Sequence, residues 1–127
     1  MILGIGIDLV EIYRIEHNLN RLGVRFTARI GRAAELKAAP KTKARQAEYW
    51  AGRFAAKEAF AKALGTGIGS TVPFRSVGIV KSKTGKPALE FSKALTEVLK
   101  KRGITSSHVS ITHTGGVAAA VVILERA

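Results

Sequence analysis

A chain of 127 residues, 46% of them hydrophobic, has apolar side chain enough for one packed core and too much for a disordered polypeptide, so residues 1–127 read as a single domain. It contains no cysteine, which excludes disulfide staples, zinc-thiolate sites and a thiol nucleophile and is compatible with a reducing cytoplasm. Twenty-one Lys and Arg against nine Asp and Glu leave a net charge of +12, which attracts anions in general and does not choose between nucleic acid, membrane surface, acidic protein and phosphate-rich cofactor.

Residues 2–8 alternate as a strand, with Leu3, Ile5, Ile7 and Leu9 on one face and Ile2, Gly4, Gly6 and Asp8 on the other. The glycines bare the face that ends in Asp8, so another segment can approach that backbone closely. This start lacks a basic stretch, and its acid arrives too early for a secretory signal. No apolar run approaches the roughly 20 residues that cross a bilayer, so a soluble, cytoplasmic protein is expected. A helix follows, with Ile12, Ile15, Leu19 and Leu22 at helical spacing and Gly23 at its end. Its other side carries Arg14, Asn18 and Arg21, with Arg25 just beyond, as an exposed basic stripe.

Residues 26–40 predict short helical pieces stopped by Pro40, and residues 43–64 predict the longest helix, which carries Tyr49, Trp50, Phe54 and Phe60. At about 100° per residue its apolar positions cover most of the circumference, so it should be largely buried. Gly65 suits its C-cap. Strands are predicted at 76–82 and 88–91 around the turn Lys83–Pro87, then an amphipathic helix at 92–102 ending at Gly103. Two last strands, 108–114 and 117–124, flank Gly115-Gly116, a strong hairpin signal. The sum is an α+β fold with helices packed on one largely antiparallel sheet.

Two acids stand out. Asp8-x-x-Glu11 before a helix reads either as a capping box or as a carboxylate placed for an oxygen-seeking metal. Glu58 falls between Ala51, Phe54 and Ala55, where an acid is costly unless paired or metal-bound; Lys62, one turn on, offers a helical pair. Arg53 and Lys57 read as a solvated polar edge. His113 shares a strand face with Val109 and Ile111 beside the Gly-Gly turn, within reach of a phosphate. Gly65-Thr66-Gly67-Ile68-Gly69 follows a helix and lacks a closing Gly-Lys-Ser/Thr, so neither a dinucleotide fold nor a P-loop is supported.

Together these segments resemble a known family. Gly4–Ile12, Gly52–Gly69, the turn Gly85-Lys86-Pro87 and Val109–Thr114 with Ala118-Ala119 are similar, in order and spacing, to the motifs of holo-acyl-carrier-protein synthases, the small bacterial phosphopantetheinyl transferases. The resemblance covers nearly the whole chain and implies a 4′-phosphopantetheinyl transferase fold. It implies transfer of 4′-phosphopantetheine from coenzyme A to a serine of acyl carrier protein for fatty acid synthesis, with magnesium on Asp8 and Glu58 and Lys62 offsetting phosphate charge. Arg53, Gly65, Gly85, Lys86, Pro87, His113 and Thr114 would line the nucleotide site, and either Glu58 or a metal-bound water would take the serine proton. Arg14, Asn18, Arg21 and Arg25 would dock the acidic carrier, and a homotrimer would place active sites between subunits. Gly115, Gly116, Val117 and Thr84 depart from the family's usual residues, at positions concerned with coenzyme A contact. The rival readings are a small basic nucleic-acid-binding protein and a non-catalytic scaffold. Against the first, aromatics are only 6% of the chain, most lie on the apolar helix, and no helix-turn-helix or single-strand signature appears.

Overall fold

The computed structural model describes all residues, Met1–Ala127. Strand β1 (Ile2–Glu11) leads into α1 (Ile12–Leu22), the short α2 (Val24–Ile30) and α3 (Ala33–Ala38), and the long α4 (Lys43–Leu64). A 3-10 turn (Phe74–Ser76) precedes β2 (Val77–Lys81) and β3 (Pro87–Phe91), followed by α5 (Lys93–Lys101), β4 (Ser106–Thr114) and β5 (Val117–Glu125). Local chemistry sets several ends. Gly65 closes α4 in the left-handed conformation, φ 87° and ψ 7°, its N–H donating back to Ala61 and Lys62. Ser92 caps α5 by accepting from the Leu95 N–H at 3.2 Å. Gly115 and Gly116, both at positive φ, make the tight β4–β5 turn.

The α+β class holds, and one expectation is corrected: there are two antiparallel sheets, β1-β5-β4 and β2-β3. β3 packs beside β4 without pairing to it, and the β2–β3 hairpin rests on the core through Val77 and Ile79. The capping box is also corrected. β1 keeps pairing with β5 from Asp8↔Ala120 to Glu11↔Val117, so Asp8 lies within the strand. The α1 N-cap is Glu11, which makes no side-chain cap bond.

Helix α4 is buried along most of its length, as its composition predicts, and packs on β1 and β5. Gly4 and Gly6 make that contact possible. A Cβ on Gly6 would overlap the Ala59 carbonyl oxygen and stand 2.6 Å from the Ala63 nitrogen; one on Gly4 would overlap the Ala63 carbonyl. Helix and strand therefore meet backbone to backbone. Gly6→Ala should destabilise the protein by about 3 kcal/mol, the upper end for overpacking, because main chain rather than a flexible side chain has to yield. Urea denaturation checks this, and an unchanged midpoint would mean that the seam has slack.

The opposite sheet face is apolar and bare. Ile5, Ile7 and Leu9 are 61%, 63% and 68% exposed, and their β5 partners are Ile123, Val121 and Ala119.

Lys57 corrects the solvated polar edge. Its side chain is fully buried: Nζ lies 2.6 Å from Glu35 Oε1 and donates to the Ile30 carbonyl and, at 3.3 Å, to the Phe74 carbonyl. Glu35 also accepts from the Arg32 N–H through Oε1 and the Ile79 N–H through Oε2, each at 3.0 Å. One buried ion pair thus ties α2, α3, the 3-10 turn and β2 to α4, with every oxygen of the carboxylate in use. Burial pushes the Lys57 ammonium below its ordinary range, while Glu35 opposes that shift. Arg53, the other member of the expected edge, is half-buried with its guanidinium 3.8 Å above the Tyr49 ring.

Candidate active site

The glycine seam delivers Asp8 on β1 to the flank of α4 that carries Glu58 and Lys62. Lys62 Nζ lies 2.9 Å from Asp8 Oδ1 and 3.2 Å from the Ile7 carbonyl oxygen. The Asp8 side chain is 15% exposed and that of Lys62 52%. The ion pair that forms is therefore Asp8–Lys62, not the helical Glu58–Lys62 pair that spacing suggests. Glu58 is half-buried. Burial raises its carboxyl pKa, the Asp8 carboxylate raises it further, and Lys62 pulls the other way.

A half-buried Glu58 whose ionisation the Asp8 carboxylate opposes is a site that a cation would relieve. No third His, Asp or Glu joins them in a cluster suited to a metal. That donor set fits a hard ion such as magnesium, which keeps several positions for water and phosphate oxygens and needs only one or two protein carboxylates. It does not fit zinc, which takes three or four nitrogen, sulfur or carboxylate ligands from the protein.

Other predicted residues border two further recesses. Arg53 borders a recess of about 500 Å³ with Tyr49 and Lys81. Lys81 pairs with Pro87 at the base of the β2–β3 turn, where Gly85 takes a φ of 86° and the Ser82 N–H donates to the Lys86 carbonyl at 2.8 Å. His113 and Thr114 border another recess, of about 590 Å³, with Glu48 and Tyr13; His113 Nε2 is 3.5 Å from Glu48 Oε2. No hydrogen bond or ion pair joins any of these residues to Asp8 or Glu58. Gly65 caps α4 about one turn beyond Lys62. Arg14 and Arg21 on α1 and Arg25 on α2 are exposed and make no ion pair, and Asn18 is half-buried.

Sequence reasoning missed the Glu35–Lys57 pair and Glu48 beside His113. Neither carries a local signal, since 22 residues separate the first two and 65 the second.

Comparison with known proteins bears on this arrangement. Residues 4–122 match the 4′-phosphopantetheinyl transferase superfamily. The chain is 42% identical over 126 residues to a holo-[acyl-carrier-protein] synthase of Maridesulfovibrio salexigens, covering 99% of this chain and 100% of that one. Among solved structures it is similar to holo-[acyl-carrier-protein] synthase from Neisseria meningitidis, with a TM-score of 0.87, 38% identity, and coverage of 99% of this chain and 100% of that one. It is also similar to a holo-(acyl-carrier-protein) synthase from Bacillus anthracis in complex with CoA (3′,5′-ADP), with a TM-score of 0.83, 40% identity, and coverage of 100% and 99%.

Proposed function

The chain belongs to the 4′-phosphopantetheinyl transferase superfamily, and on that footing we propose that it acts as a holo-acyl-carrier-protein synthase whose Asp8 and Glu58 hold a magnesium ion. It transfers 4′-phosphopantetheine from coenzyme A to a serine of apo-acyl carrier protein and releases 3′,5′-ADP. The observation that supports this assignment of residues is the meeting of Asp8, Glu58 and Lys62, from segments 50 residues apart, beside a glycine seam.

Bound there, magnesium supplies polarisation of the phosphoryl oxygens and offsets charge on the leaving group. The chain's own residues do the rest. Lys62, half-exposed on its long stem, can swing from Asp8 to the diphosphate and neutralise developing charge. Either Glu58 or a water held by the ion would take the serine proton. Arg53, Lys86, His113 and Thr114, with the glycine backbone at Gly65 and Gly85 and the Pro87 turn, bind the nucleotide end of coenzyme A.

Arg53 and His113 border different recesses, neither of which Asp8 or Glu58 lines, and β1 presents the exposed apolar row Ile5, Ile7 and Leu9. Both features favour a homotrimer in which one copy's nucleotide-binding group faces another copy's carboxylates. The absence of cysteine suits a reducing compartment, and we place the reaction, as a step toward fatty acid synthesis, in the cytoplasm.

The direct test is intact-protein mass spectrometry of apo-acyl carrier protein incubated with coenzyme A and magnesium. A gain of one phosphopantetheine that needs both is expected, and a carrier unchanged after long incubation would refute the assignment. Docking is tested separately. Arg21→Glu should raise the carrier KM about tenfold with kcat little changed, because a rim charge acts chiefly on encounter. Equal loss in both parameters would remove Arg21 from the docking surface.

A further inference from the structure

His113 meets helix α4 through one acid. It leaves β4 on the side that faces the core, the side of Val109 and Ile111, and its cross-strand neighbour Ala118 is fully buried. Two residues back, Ile111 comes so near to α4 that a Cβ on Gly52 would stand 3.1 Å from its Cγ2. Glu48 stands one helical turn before Gly52, and its Oε2 lies 3.5 Å from His113 Nε2. The packing of strand on helix at Gly52 therefore brings imidazole and carboxylate together. The second ring nitrogen, Nδ1, has no partner in the chain.

The surroundings give this contact a meaning. The recess that His113 and Thr114 border also carries Glu11, Glu16 and Glu48, and neither lysine nor arginine. By charge alone such a recess repels phosphate, and removing one of its acids should improve anion binding. An imidazole whose Nε2–H faces a carboxylate keeps a single orientation, however, and as imidazolium it donates from Nδ1. A carboxylate that orients a histidine from behind serves whatever is bound in front of it, as histidines that ligate metals show. The two side chains are 53% and 46% exposed, and an ion pair that open adds little to stability. What the contact can change is the direction of the ring.

We propose that Glu48 is a positioning residue for His113, holding the imidazole so that Nδ1 donates to a phosphate of the nucleotide. This inference rests on the nucleotide role given to His113 above and adds the residue that makes the histidine effective. Glu48 acts through the ring and touches no substrate.

The test is calorimetric titration with 3′,5′-ADP in magnesium, which needs neither carrier nor transfer, alongside steady-state kinetics with coenzyme A. The proteins are wild type, Glu48→Ala, Glu48→Gln, His113→Ala, the double variant Glu48→Ala with His113→Ala, and a control, Glu97→Ala, which removes an exposed acid of α5. Glu48→Ala is expected to weaken 3′,5′-ADP and raise the KM for coenzyme A about fivefold, with kcat and the melting temperature little changed. Glu48→Gln can still accept from Nε2 and should recover part of the loss. Without His113, the Glu48→Ala change should have no further effect. Tighter binding of 3′,5′-ADP by Glu48→Ala, an unchanged constant, an equal loss in Glu97→Ala, or a loss that persists in full without His113 overturns the positioning role and leaves the transfer activity standing. If His113→Ala binds 3′,5′-ADP as wild type does, the nucleotide role of His113 fails and this inference falls with it.

Discussion

Glu58→Gln lowers kcat about a thousandfold, the several kcal/mol that a well-held cation contributes to transition-state charge, while circular dichroism shows an unchanged fold. The same substitution raises the melting temperature of the metal-free protein at neutral pH. The sign follows from the raised pKa of Glu58. An acid whose pKa is higher folded than unfolded costs stability wherever it must ionise, so the penalty is absent below the unfolded carboxyl value and grows as pH rises through the folded one. Melting curves of the two proteins should therefore coincide near pH 4 and separate toward pH 8, with the variant higher. Magnesium then reverses the order at pH 8, because it stabilises by mass action only the protein that retains both carboxylates. A variant that is inactive but no more stable than wild type at pH 8 would mean that Asp8 and Glu58 do not repel each other, and that the site is not strained for a cation.

The second large effect lies away from the chemistry. Lys57→Met and Glu35→Leu should each destabilise the protein by about 3–5 kcal/mol, because either one strands a fully buried charge. The double variant should cost less than the sum of the two, since no lone charge remains. Some loss should persist in it, because the N–H groups of Arg32 and Ile79 lose their acceptor. Chemical denaturation of the four proteins closes the cycle. Additive losses would show that the two side chains act independently despite their 2.6 Å separation.

How far the sequence could be read depended on how local each signal was. The α4 helix, its Gly65 cap and the Gly115-Gly116 hairpin are written in neighbouring residues and were legible. The extent of β1 was not, because residues 9–11 stay extended through a ladder to β5, more than 100 residues away. The second sheet escaped for the same reason: whether β3 pairs with β4 or only packs beside it is a long-range matter that no strand pattern reveals. In the candidate site, Glu58 stood out as an acid on an apolar flank, and Asp8 as the acid of a glycine-lined strand. Lys57 did not stand out. Arg53 lies one turn away on the same side of the helix and is half-exposed, so both read as surface until Glu35 from α3 is seen beneath one of them. Lys62 found Asp8 rather than its helical neighbour because β1 runs closer to it than spacing along α4 can express.

The seam at Gly4 and Gly6 has a consequence for how the site fails. The spacing of the main chains that carry Asp8 and Glu58 is set where β1 rests on the carbonyls of Ala59 and Ala63, so trimming or exchanging core side chains elsewhere should barely alter it. Nothing softer lies between strand and helix to give way by degrees. Warming should leave catalytic competence level up to the point where β1 parts from α4, and there the enzyme should switch off in a single step with the melting of the whole domain.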